Sequence, residues 1–310
     1  MKARFLHIVL IIILASPGLS AQHLPKFSLW EMNQNSINPA AFVEPELTAK
    51  LFYRNQWTGF ESAPVNAGIN ISKGFGGFYT GLVYHNDKAG IFQQNMVQVQ
   101  YAYKLYLSRD IAMNMGIAGG INAYRINYQE LNMYHADDPL IYSAEQSSIL
   151  PDFNLGIMIT NKIPQRSYGS SSTKTHGFQA GISVQHLTSA IVTNESIRDN
   201  SYLLRHFNFS GSFRHELNRE IDMEESLLAK YVTGVPVQAE IAVRGIYQNT
   251  YWLGLSWRSV SDIILKTGIE MNGILFGYAW DLGLSKIPNH SSHEIVLGYR
   301  FGSGGSVPKY

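Results

Sequence analysis

The chain has 310 residues, 45% of them hydrophobic and only 15% charged, with 24 basic against 23 acidic side chains, 18 Tyr, 15 Phe, 5 Trp and no cysteine. So little charge with so many aromatics excludes a disordered chain and falls below the roughly 25% charged residues of ordinary soluble domains. A net charge of +1 gives no field for nucleic acid, and the lack of cysteine excludes disulfides, thiolate sites, a Cys nucleophile and a lipid-modified N-terminal Cys.

Lys2 and Arg4 precede an apolar run from Phe5 to Ala15, followed by the small residues Gly18, Ser20 and Ala21. This order reads as a secretory signal peptide over residues 1–21, cleaved between Ser20 and Gln22. A run of about 11 apolar residues is too short for a bilayer span of about 20. Residues 22–46 carry Pro25, Pro39 and Pro45 with weak alternation. They read either as a segment folded into a barrel or as an extended periplasmic arm.

From Leu47 onward the apolar residues recur every second position. Val97, Val99, Tyr101, Tyr103 and Leu105 alternate with Gln98, Gln100, Ala102 and Lys104, and Ile295, Leu297, Tyr299 and Phe301 alternate with Glu294, Val296, Gly298 and Arg300. That period is the signature of strands with two unlike faces. It predicts an all-β chain of about 14 strands, near 48–56, 66–73, 77–85, 92–107, 111–127, 152–160, 176–187, 203–215, 222–231, 236–247, 250–258, 263–271, 273–281 and 293–301.

Strands of this length with aromatics near their ends fit a transmembrane antiparallel β-barrel over residues 47–301, with residues 302–310 as a C-terminal tail. A soluble β-sandwich is the alternative fold. Tight links at Gly74 to Gly76, Ser108 to Asp110, Gln248-Asn249 and Met271 to Gly273 alternate with longer ones at Trp57 to Val65, Tyr128 to Leu150, Leu187 to Tyr202 and Gly283 to Ser292. This is the pattern of short periplasmic turns and longer outer loops. Asn161 to Thr175 breaks it as a long link on the tight side. An even strand count places both barrel ends in the periplasm, and a barrel of this size has room for a lumen or a plug.

Motifs of chemistry are sparse. His293-Glu294 lacks the second histidine of a zinc-protease helix, and Gly74-Phe75-Gly76-Gly77 lacks the Gly-Lys-Ser/Thr ending of a phosphate loop. Asp137-Asp138-Pro139 beside His135 is either a loop acid cluster or a Pro-stopped turn. No cofactor is expected.

A set of segments runs through the chain in fixed order: Asn38-Pro39-Ala40, the stretch from Tyr53 to Pro64, Asn86 to Gly90, Tyr101-Ala102-Tyr103, Asp137-Asp138-Pro139, Leu150 to Gly156, Lys230-Tyr231, Tyr251 to Arg258, Gly277-Tyr278 with Asp281, and Ser292 to Phe301. Together they resemble the PorP/SprF family of type IX secretion system outer-membrane proteins of the Bacteroidota. The resemblance spans nearly the whole mature chain in the family's order. Ser291 departs from the Gly common before Ser-His-Glu, and residues 302 to 310 extend past Phe301. The resemblance implies a non-enzymatic outer-membrane barrel, exported by its signal peptide. It would assist export or surface anchoring of large secreted proteins, including gliding adhesins, by recognising their C-terminal domain. Its partners would be that secreted protein, other type IX components and membrane lipid, with no nucleic acid. Arg54, Gln56, Trp57, Phe60 and Glu61 at the outer end of the first strand, with Asp137, Asp138, His293 and Glu294, are the candidate partner-binding residues. At the first strand an aromatic anchor meets guanidinium, amide and carboxylate groups. Arg54 as a plain lumen charge and Trp57 as an interface-belt aromatic remain open. A porin or solute transporter is the competing function, and a barrel hydrolase a third.

Overall fold

The computed structural model describes residues 27–42, 45–127, 145–161, 177–189, 191–192, 201–259, 262–284 and 291–302. The leader over 1–21, the Asp137-Asp138 cluster, the Gly169 to Ser172 link and the tail beyond Gly302 lie outside them.

Fourteen strands close into one antiparallel barrel. They are β1 (Thr48–Asn55), β2 (Val65–Gly74), β3 (Phe78–Ala89), β4 (Phe92–Tyr106), β5 (Ile111–Asn127), β6 (Glu145–Asn161), β7 (Gly177–Gln185), β10 (His206–Glu216), β11 (Ile221–Val232), β12 (Val235–Tyr247), β13 (Tyr251–Arg258), β14 (Asp262–Met271), β15 (Ile274–Gly283) and β16 (Ser291–Arg300). A separate two-stranded ribbon, β8 (Ile191–Val192) with β9 (Ser201–Tyr202), lies within the connection from β7 to β10. No helix among the described residues is long and apolar enough to cross a membrane, so any crossing is by strands.

Each strand joins its sequence neighbour, and β1 pairs with β16, so no edge is left open. Closure is what makes such a sheet tolerable in hydrocarbon, where an unpaired backbone N–H or C=O costs several kcal/mol. The alternation seen in sequence sets the two faces. In β1, Leu51 and Tyr53 point outward, 54% and 49% exposed, while Phe52 and Arg54 point inward at 3% and 2%. Val97, Val99, Tyr101 and Tyr103 on β4 and Leu253 and Leu255 on β13 continue the outer apolar surface.

The expected strands are all present, with shifted ends. β3 runs on to Ala89 and turns at Gly90, whose φ of 57° lies in the left-handed region. β6 begins at Glu145 instead of 152, carrying Pro151 inside a strand. Proline fits there because β7 pairs with β6 only from Leu155 to Thr160, so the missing N–H falls beside an unpaired stretch. The links at Phe75–Gly77, Gln248-Asn249 and Asn272-Gly273 are tight, and positive φ at Gly76, Gln248, Asn249, Asn272 and Gly273 permits them.

Residues 27–42 sit within the barrel. Phe27, Leu29, Trp30, Met32 and Ile37 form one core with inward side chains that include Phe52, Trp252, Ile264, Leu275 and Val296. The segment enters this core among residues at the long-link ends of β13, β15 and β16 and leaves near the tight turns, where β1 begins.

Candidate functional site

The polar heart of the molecule lies where the N-terminal segment meets the inner wall. Arg54 on β1 donates to Asp281 Oδ2 on β15 at 2.7 Å and to Ser28 Oγ at 2.6 Å, with Glu294 Oε2 on β16 at 3.4 Å. Ser28 returns the contact, its hydroxyl donating to Asp281 at 2.7 Å and its backbone N–H to Glu294 at 2.5 Å, while Leu29 N–H donates to the other Glu294 oxygen at 3.2 Å. Arg258 at the end of β13 holds Glu240 at 3.0 Å, and reaches the Phe27 carbonyl and Ser28 Oγ at 3.2 Å each. Lys266 on β14 sits between Glu31 and Glu240 at 2.9 Å to each. Burial pushes the Glu31 carboxyl up, opposed by the Lys266 ammonium. Arg54, Arg258 and Glu294 are 2%, 2% and 0% exposed, so the pairs act with little solvent screening.

Further down, the segment is held by side-chain amides. Asn70 Nδ2 donates to Asn35 at 3.2 Å and Ser36 at 3.0 Å, and Gln100 Nε2 to the Asn35 carbonyl at 2.8 Å. Ser183 donates to the Ile37 carbonyl at 2.8 Å. Asn38 Nδ2 donates to the Ile157 and Ile182 carbonyls on β6 and β7, both at 3.2 Å. Asn114 Nδ2 donates to the Ala40 and Phe42 carbonyls at 3.1 and 3.0 Å. The wall makes room with glycine. A Cβ at Gly116 would collide with the backbone of Pro39, and one at Gly156 with Asn38 Oδ1. What remains at the tight-turn end is a cavity of about 220 Å³ bordered by Glu31, Lys50, Arg214, Glu224, Arg244 and Glu270.

A sequence model described as type IX secretion system membrane protein PorP/SprF matches residues 19–299. The chain belongs to the PorP/SprF family.

No curated protein matches the chain. Among solved structures, it is similar to the Ralstonia pickettii toluene transporter TbuX at 7% identity and a TM-score of 0.49, over 85% of this chain and 92% of that one. It is also similar to the CymD monoaromatic hydrocarbon channel at 10% and 0.48, covering 86% and 92%, and to a Pseudomonas aeruginosa FadL homologue at 9% and 0.45, covering 85% and 93%. Identities this low carry no information about ligands.

The motifs that resembled PorP/SprF now have positions. Asn38-Pro39-Ala40 is the stretch seated on β5, β6 and β7, and Gly156 closes the Leu150 to Gly156 motif under it. Arg258, Asp281 and Glu294, each from a different motif, converge around Ser28. Of the sequence-derived candidates, Arg54 and Glu294 come together in this network, directly opposite each other in the β1–β16 register. Gln56 is buried next to it in sequence, and its N–H donates to the Pro64 carbonyl at 2.9 Å. Trp57 is half-buried at a φ of 51°, its N–H donating to Ser292 Oγ at 3.1 Å. Phe60 and Glu61 are exposed in the link to β2. His293 points outward and bonds Tyr278 Oη at 2.8 Å, away from the Arg54 cluster. Ser28, Glu31, Glu240 and Lys266 were not singled out from sequence. For Glu240 and Lys266 the signal was parity: with Arg258, Asp281 and Glu294 they fall on the inward register of their strands, whereas Ser28 and Glu31 lie on no strand and carried no such signal.

Gly156→Val in this PorP/SprF chain forces Asn38 out of its seat. Overpacking of this kind costs about 1–3 kcal/mol, and the Asn38 bonds to β6 and β7 are lost with it. The expected result is a lower unfolding temperature of the purified barrel, by heat-modifiable gel mobility, while Gly211→Ala, whose added Cβ has no contact closer than 3.6 Å, leaves it unchanged.

Proposed function

We propose that this protein is a non-enzymatic outer-membrane component that assists type IX export or surface anchoring of large secreted proteins by recognising their C-terminal domain. The observation that carries this reading is the match of residues 19–299 to the type IX secretion membrane family. The signal-peptide pattern of residues 1–21 and the apolar outer face fit residence in the outer membrane, and the rule of short periplasmic turns sets the long links outside. In this reading the secreted protein carries adhesin or gliding functions.

A lumen packed with residues 27–42 leaves the rims and the outer wall as the surfaces on which a client or another secretion component can act. It also weighs against the competing porin or transporter function. Of the candidates among the described residues, Phe60 and Glu61 are exposed at the long-link rim, where a client domain can touch them directly. Arg54, Gln56 and Glu294 are buried, and we assign them to holding that rim in shape.

The test is deletion of the gene with comparison of the cell-surface proteome. Loss of one or a few type IX clients from the surface is expected, and unchanged export and retention of every client overturns the proposal. For the rim, Phe60→Ala combined with Glu61→Ala is expected to lower surface retention of the same client without changing the amount of barrel in the membrane.

A further inference from the structure

Among the described residues, the outer wall of β10 and β11 carries an ionisable pair set among apolar side chains. On β10 and β11, His215 and Glu225 both point outward, with their side chains 28% and 44% exposed, and His215 Nδ1 lies 3.5 Å from Glu225 Oε2. In the register Glu225 stands between Phe213 and Val243, both outward and apolar. The separation exceeds a good hydrogen bond, and neither atom has another partner although both are shielded from solvent.

Beside this pair the wall is indented. A surface notch of about 450 Å³ is bordered by Ile221, Gly245, Tyr247, Tyr251, Leu253 and Ile269, on the outward faces of β11 to β14. Its floor, Gly245, has no conformational need to be glycine. Its φ is not positive, and an added Cβ would meet only Met223 Sδ, at an ordinary 3.7 Å. A lipid-facing position free of that constraint favours Leu, Val or Ile.

The layout separates protein from lipid. Gly245 stands opposite Met223 and Val243 opposite Glu225, so the notch floor lies two residues, about 7 Å at 3.3 Å per residue, nearer the turn than the carboxylate. A phospholipid whose amine paired with Glu225 would run its chains toward the membrane centre, away from the notch. A membrane-embedded protein can place an apolar side chain at the turn level and a donor deeper.

We propose that the outward face of β10–β13 docks a second membrane-embedded protein, which seats a bulky apolar side chain in the Gly245 notch and presents a basic or hydrogen-bond-donating side chain to the His215–Glu225 pair. Charge complementarity fixes the partner's chemistry: the pair offers a carboxylate in an apolar surround, and a donor there is worth more than one in water. The proposal deepens the secretion reading and rests on it only for the partner's membership of the same apparatus.

The experiment places a photoreactive residue at position 243, on the face next to Glu225 and the notch, and at position 51 on β1 as a control, in the full chain in intact membranes. Expected is an adduct with one membrane protein from position 243 and none from position 51. That adduct is lost in Gly245→Leu and in Glu225→Leu, while the heat-modifiable barrel band is unchanged. Gly245→Leu adds bulk only on the outside, so it tests docking without disturbing the interior. Adducts with lipid alone, or a protein adduct that survives Gly245→Leu, overturn the proposal. The secretion reading fails separately, by an unchanged surface proteome on gene deletion, whatever the adduct shows.

Discussion

Arg54→Met is expected to destabilise the folded barrel by about 3–5 kcal/mol, the cost of leaving buried carboxylates without their cation. Arg54 serves Asp281, Glu294 and Ser28 together, all of them 1% exposed or less. Asp281 keeps Arg258 at 3.3 Å, but Glu294 is left with the backbone N–H groups of Ser28 and Leu29 and no cation in place of Arg54. The measurement is the temperature at which the heat-modifiable band is lost in detergent. A second readout separates a local role from a general one: in a double-mutant cycle with Ser28→Ala the two losses should fall short of additive, because they remove the same anchor. Arg54→Met at wild-type stability contradicts the buried network.

The second large effect concerns passage through the barrel. Reconstituted in a planar bilayer, the intact protein is expected to show no steady conductance, whereas a chain lacking residues 27–42 shows discrete open steps. The wall of a 14-strand barrel is wide enough that its own side chains do not fill it, so the segment is what closes it. Trp30 and Leu29 are each 1% exposed, and burying side chains of that kind contributes about 1.5–3 kcal/mol apiece, which keeps the segment seated. Trp30 also donates to Glu240 at 3.2 Å, so Trp30→Ala removes apolar contact and a polar tie in one step. Conductance of the intact protein equal to that of the shortened chain would restore the porin reading.

The strands were legible because period two is local: Leu51 and Tyr53 against Phe52 and Arg54 reveal two faces within a few residues. The contacts inside the lumen were not, because they depend on which strands become neighbours. Arg54 meets Glu294 only through the pairing of β1 with β16, across almost the whole chain. The candidates at the first strand's end were chosen for chemistry suited to recognition, and the sequence did not divide them into the buried Arg54 and the exposed Phe60 and Glu61. The glycines at 116 and 156 read as ordinary strand glycines until Pro39 and Asn38 are set against them. The short ribbon of β8 and β9 had no alternation long enough to stand out from its loop.

The meeting of β1 and β16 is also the seam at which the sheet becomes a closed cylinder. Arg54 and Glu294 lie on opposite lips of that seam, and both grip Ser28. Closing the seam therefore also brings together the two side chains that anchor the N-terminal segment, so the cylinder closes around its own beginning.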